Sequence, residues 1–183
     1  MSELLAAGLL IKQQGRLTRL VNPLESVVLN LPVKAEPTLN DVRDVLELRA
    51  FIESVAAGCC AENASKKQIA IIRSEFEKMQ LRSQKNTTLI RAKADLQFHM
   101  LIAKYSHNLV VASLSELFYN RYFSSIYKAL DLTLKRYGRY PERINPQHQQ
   151  IFSALEQGDR LAAQEAAREH VLYTRSLLAF ARQ

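Results

Sequence analysis

The chain holds only two cysteines, and they are neighbours, Cys59 and Cys60. Adjacent residues on a helix point in different directions and no second pair exists, so a disulfide framework is excluded and both read as small buried apolar side chains. Proline and glycine are scarce, five of each in 183 residues, which excludes a collagen-like or low-complexity chain. Long apolar runs are missing too. The longest, Leu4 to Ile11, is far short of the roughly 20 residues a membrane helix needs, and no basic segment precedes it as in a secretory signal. The expectation is a cytoplasmic protein that does not enter a membrane. Finally, no block of five like charges occurs, although the formal net charge is +7. The basic excess permits nucleic acid or another anionic partner without requiring one.

What is abundant is Ala, Leu, Glu, Gln, Lys and Arg, whose unbranched side chains lose little freedom in a helix. With 48% hydrophobic and 23% charged residues, the composition is that of a globular protein able to bury a core. One ordinary domain with a short appendage is the natural division of this length. An all-α protein is expected.

Residues 1–22 read differently from the rest. A short apolar start, Gly8, and a turn at Gln14-Gly15-Arg16 suggest a helix end followed by a two-stranded hairpin. Such a hairpin is marginal alone and needs something to pack on. Residues 23–38 carry Pro23, Pro32 and Pro37 and read as a linker. The main domain, 39–183, follows. Thr38 or Asn40 can cap a first helix running to about Asn63, and Ser65 a second from about Lys66 to Ser83. A third is expected from about Thr88 to Ser106. A fourth, capped by Asn108, should run to about Leu134, either unbroken or with a break near Asn120. A fifth begins with Pro141 in its first turn and stops at Gly158, and a sixth, capped by Asp159, reaches about Ala181. Six helices joined by short turns make an antiparallel bundle the expected architecture.

Polar residues on the apolar stripes point to chemistry. Asp95 and His99 are spaced i, i+4 and so share a helix face. His148 falls on the stripe Ile144, Ile151, Phe152, Leu155, and His170 on the stripe Ala166, Ala167, Tyr173, Leu177. Taken singly, each histidine also reads as a core residue satisfied by a hydrogen bond. Three of them beside a carboxylate are costly to bury without partners, at about 1–3 kcal/mol per unsatisfied group, and a shared divalent ion removes that cost. Zinc is the first expectation, with nickel, manganese or iron as alternatives. Arg49 interrupts a stripe of Val42, Val45, Ile52 and Ala56. Its guanidinium needs an anion, supplied either by Glu53 one turn on or by a ligand carboxylate. Asn120 and Arg121 are a weaker pair of effector-binding candidates. His107 reads as part of a turn, with no ligand role.

These residues carry a resemblance. Asp95-x-x-x-His99, then Ser106-His107-Asn108, then His148 opening HQQIFSALEQGD, then Ala167-Arg168-Glu169-His170 is similar to the FCD effector domain of FadR-like GntR transcriptional regulators. Leu46-Glu47-Leu48-Arg49 with Glu53 fits the same family, and the resemblance covers about residues 39–181. It implies a helical bundle, Asp95, His99, His148 and His170 as metal ligands, a small carboxylate effector beside them, and a homodimer acting on DNA. The segment SELLAAGLLIKQQGRLTRLV is similar to the tail of the recognition helix and the wing hairpin of that family's winged helix-turn-helix. The resemblance departs there, because the preceding helices and most of the recognition helix are not in this chain. A helix-turn-helix reads bases with the start of that helix, so the expectation is a chain that senses a ligand but reads an operator poorly or not at all. Lys12, Arg16 and Arg19 are the residues expected to meet phosphates, in a salt-sensitive and sequence-blind way.

The alternative function is a metalloenzyme, since three histidines and a carboxylate with an open coordination position can activate water. An enzyme would also need a general base, and Glu53 is the single inward candidate, one that Arg49 competes for. A purely structural bundle would explain the stripes but not four polar ligands upon them.

Overall fold

A computed structural model describes residues 2–6, 10–12, 15, 18–20, 38–83, 88–137 and 141–178. Near the amino terminus lie a short helix α1 (Ser2–Ala6) and two strands, β1 (Leu10–Ile11) and β2 (Arg19–Leu20), paired antiparallel with Leu10 opposite Leu20 and Ile11 opposite Arg19. Gly15, inside the predicted turn, has φ +76, a value that glycine adopts without steric cost. The predicted linker falls outside the described residues except for Thr38.

Six long helices follow: α2 (Leu39–Asn63), α3 (Lys66–Ser83), α4 (Thr88–Lys104), α5 (Leu109–Tyr137), α6 (Ile144–Gln157) and α7 (Arg160–Leu177). They form the expected all-α bundle. Their starts are written locally. Thr38 caps α2 in a box with Asp41, each side chain accepting from the other residue's backbone N–H at 3.2 and 2.8 Å. Ser65 and Gln68 form the same reciprocal pair ahead of α3, and Asn108 Oδ1 accepts from Val111 N at 3.1 Å to open α5. Between α6 and α7, Gly158 takes the left-handed conformation at φ 68 and Asp159 then accepts from Ala162 N at 3.0 Å. None of the helices is long and apolar enough to cross a membrane, among the described residues.

Three boundaries depart from the sequence reading. Helix α5 ends at Tyr137, three residues beyond the expected Leu134, and of the two alternatives it is the unbroken one, because Phe118, Tyr119 and Ile126 are buried on either side of Asn120 and hold the turn. Helix α6 starts three residues after Pro141, whose carbonyl accepts from Ile144 N at 3.2 Å in the turn before the helix. Helix α4 stops at Lys104 rather than Ser106, where the chain turns through His107 at φ 55.

Helix α2 lies at the centre. Thirteen of its residues are buried and they lie on several sides of it, from Val42 and Leu46 to Cys59 and Cys60, as expected for a helix covered by neighbours nearly all round. It packs most extensively on α7, where small residues let the backbones approach: Ala57, Gly58 and Ala61 on α2, Ala163 and Ala167 on α7. A side chain on Gly58 would meet Gln164 Cγ at 2.4 Å. Helices α4, α5 and α6 complete the wall around α2. One core cluster joins α2, α3, α4, α6 and α7 around Ile72, Phe76, Phe98, Ile151 and Phe152. Phe76 stacks on Phe152 with ring centroids 4.9 Å apart and tilts against Phe98 at 5.8 Å. This aromatic layer is the floor on which the polar site rests.

Candidate metal centre

The burial of apolar neighbours carries the polar residues inward. On α4 the side of the helix that buries Ala92, Phe98 and Ile102 also buries Asp95 and His99. On α6 Ile144, Ile151 and Leu155 take His148 with them, and on α7 Ala163, Ala167 and Val171 take His170. Three helices thereby bring four donors together, one atom from each residue lying within 4.8 Å of all the others. Asp95 Oδ1 is the common point, 3.0 Å from His148 Nε2, 3.7 Å from His99 Nε2 and 3.8 Å from His170 Nε2. Phe98 closes one side, its ring edge-on to His99 and His148 at 5.2 and 5.6 Å.

A shell of further charge surrounds these donors. The Arg49 guanidinium, 2% exposed, reaches two carboxylates: Nη2 donates to Asp95 Oδ2 at 2.9 Å and Nε donates to Glu53 Oε1. Glu53 Oε1 also accepts from the Tyr119 hydroxyl, and Glu53 Oε2 lies 2.9 Å from His99 Nδ1. The pKa values follow from this wiring. Burial opposes charge on Glu53, but Arg49, then His99 and Tyr119, outweigh it and hold the carboxyl at about 2. Asp95 is likewise burdened by burial and yet held well below the usual carboxylate range by Arg49 and the histidines. Burial would depress His99, but Glu53 and Asp95 push it up to about 9. For His148 burial prevails and lowers it, and His170 falls to about 3 through burial and the neighbouring His148.

The donor set suits a divalent cation. His99 Nε2, both ring nitrogens of His148 and His170 Nδ1 are buried without a well-formed hydrogen bond, a costly arrangement for polar groups removed from water. A bound ion relieves this for the nitrogens facing Asp95 Oδ1, since neutral imidazole and carboxylate are ordinary ligands of zinc and its neighbours. Glu53 is the only other buried carboxylate among the described residues, and with Arg49, Tyr119 and His99 around it, it is not free to act as a general base. Beside the donors runs a crevice too narrow to admit water, walled by Ala56, Ala57, Ala103 and Ala167. Glu53, His99, Tyr119 and Ser115 supply its polar lining, and Ser115 Oγ is buried there with no hydrogen-bond partner.

The other residues singled out in the sequence lie as follows. Arg49 is wholly inside, paired with protein carboxylates. Asn120 is exposed, because the preceding residue, Tyr119, takes the inward position, and Arg121 is half-buried. His107 sits exposed at a turn against Gln68 Oε1 at 3.0 Å. Lys12 is exposed next to β1, Arg16 lies outside the described residues, and Arg19 is placed only as backbone in β2. Sequence reasoning missed Tyr119, Ser115 and the contact of Glu53 with His99. Tyr119 left a signal, since a tyrosine on an apolar stripe must bring its hydroxyl to a partner.

Comparison with known proteins places these features in context. The FCD domain family matches residues 44–172. The chain is 31% identical over 135 residues to the Glc operon transcriptional activator of Escherichia coli strain K12, and equally to that of strain O6:H1. The match covers 70% of this chain and 51% of the relative, so the chain spans about half the length of the curated relatives it matches. Among solved structures, Streptococcus agalactiae GntR superposes with a TM-score of 0.62 at 19% identity, over 96% of this chain and 78% of the other. Escherichia coli McbR/YncC superposes at 0.64 with 14% identity, over 97% and 80%. Likenesses at such identities speak to fold.

Proposed function

Because this chain belongs to the FCD domain family, we propose that it is the effector-sensing part of a GntR-type DNA-binding transcriptional regulator, holding a divalent metal ion and a small carboxylate. The curated relatives that it matches are named as transcriptional activators. The observation that carries the metal reading is the convergence of four buried donors, with imidazole nitrogens left unpartnered around Asp95 Oδ1. Asp95, His99, His148 and His170 would be the ligands, zinc the first expectation and nickel, manganese or iron the alternatives. When bound, the ion supplies a positive centre with coordination positions open to an oxygen ligand.

Charge supports an anionic effector. With the imidazoles neutral, one guanidinium, Arg49, stands against two carboxylates, Glu53 and Asp95, leaving one negative charge. A divalent ion turns this into one positive charge, and a buried net charge is costly without a counter-ion. A small hydroxy- or keto-carboxylate meets that need. In the reading we propose, the effector shifts the arrangement of a homodimer and with it the attached DNA-binding parts, since twofold regulators address paired half-sites.

Elemental analysis of the purified chain, followed by thermal-shift titration with glycolate, lactate, pyruvate, citrate and a neutral sugar, tests this. The expected result is one equivalent of metal, a midpoint raised by one or more of the acids, and loss of both effects in His148→Ala. Stabilisation by the sugar alone, or a chain that takes up no divalent metal, overturns it.

A further inference from the structure

We propose that Glu53 and Arg49 are positioning residues of the four-donor cluster, Glu53 fixing the tautomer of His99 and Arg49 occupying Asp95 Oδ2 so that Oδ1 alone faces the histidines. The inference rests on the metal reading above and concerns residues of α2, a helix that supplies none of the four donors.

Three features of the geometry carry it. First, all three imidazoles present Nε2 to the same oxygen, Asp95 Oδ1, at 3.0 to 3.8 Å, but only His99 has a charged partner on its other nitrogen, Glu53 Oε2 at 2.9 Å. A carboxylate there keeps the proton on Nδ1, so that Nε2 carries the lone pair a cation requires. The Glu53 contact is an ion pair by distance, Oε2 not being aligned as a hydrogen-bond acceptor, whereas Nδ1 of His148 and of His170 has neither a hydrogen-bond partner nor a carboxylate at ion-pair distance among the described residues. Second, a free carboxylate can offer either or both oxygens. Arg49 Nη2 takes Oδ2 of Asp95 at 2.9 Å and leaves Oδ1 toward the cluster. Third, the same guanidinium holds Glu53 through Nε, and the Tyr119 hydroxyl holds the same Glu53 oxygen from α5. The planar fork of one arginine thus sets the spacing between the carboxylate that orients a histidine and the carboxylate that joins it. Lysine, a point charge, cannot span both. On this account Arg49 is engaged on both sides by the protein and serves Asp95 rather than gripping the effector.

The test uses the whole chain with zinc ion as the probe. Zinc affinity is measured by chelator competition in wild type, Glu53→Gln, Arg49→Lys and Tyr119→Phe, and the ring nitrogens of 15N-labelled histidine are followed by NMR. In the zinc-loaded wild type, His99 is expected to bind through Nε2 and hold its proton on Nδ1. Glu53→Gln and Arg49→Lys are expected to lose about 10- to 100-fold in affinity, with the His99 ring signals displaced, and Tyr119→Phe to lose less. A structural role alone would lower the unfolding midpoint but leave the His99 ring signals of the folded protein in place. Ligation of wild-type His99 through Nδ1, or affinities of the folded variants within twofold of wild type, overturns the inference. The wild-type tautomer decides it even where a variant fails to fold. A wild type that binds no zinc defeats the metal reading instead, so the two failures are distinct.

Discussion

His99 differs from its two partners in having a carboxylate near each ring nitrogen, Glu53 at 2.9 Å and Asp95 at 3.7 Å. In the metal-free protein this gives opposite pH responses within one cluster. The folded-state pKa of His99, about 9, lies above its unfolded value near 6.5, so its contribution is complete below pH 6.5 and is lost as pH rises through 9. His170, at about 3, is depressed, so the unfolded chain binds the extra proton and stability falls as pH drops from 6.5 toward 3. Urea midpoints measured in the presence of chelator are expected to peak near pH 6.5 and decline on both sides. A flat profile between pH 4 and 9 would contradict the wiring. The same values predict the proton balance of loading. At pH 7 His99 carries a proton and His170 does not, so zinc uptake should release about one proton per ion, which calorimetry in buffers of different ionisation enthalpy reads directly.

Among the elements, the contact between α2 and α7 is tight enough at Gly58 for one added atom to matter. Alanine at Gly58 would gain up to about 1 kcal/mol in helix propensity, but its Cβ would fall 2.4 Å from Gln164 Cγ, and overpacking typically costs about 1–3 kcal/mol. Gly58→Ala is therefore expected to destabilise the chain, whereas the same change in a Gln164→Ala background should stabilise it. A double-mutant cycle by urea denaturation checks this, and additive effects would show that the side chain simply swings aside. At the start of α7, Asp159→Ala removes the cap on Ala162 N and should cost about 1 kcal/mol, with zinc affinity unchanged.

The helix starts were legible because caps are local: Thr38, Ser65, Asn108 and Asp159 each act within three residues. Proline suits a first helical turn as well as the turn before one, so sequence alone does not separate the two for Pro141, which lies just ahead of α6. Asp95 and His99 were legible from their spacing, and His148 and His170 from the stripes they interrupt. The pairing of Arg49 with Asp95 spans 46 residues and leaves no trace in local pattern. Tyr119 and Asn120 lie about 100° apart on a helix, an angle that the apolar stripe of α5 alone does not resolve.

At the scale of the whole molecule, the all-helical bundle and the family follow from the same residues, whereas assembly rests on symmetry. A regulator that addresses two half-sites is expected to be twofold. Sedimentation at micromolar concentration with zinc present should give a dimer, and a single monomeric species would remove that part of the reading. Bundle connectivity has a further consequence, in time. The first long helix packs most extensively on the last, α2 on α7, with roughly a hundred residues of chain between them. At translation rates of about 5–20 residues per second, α2 waits some 5–20 s for its principal partner to be made. His170 arrives with that same helix, so the four candidate donors come together only once α7 has been made and docks on α2.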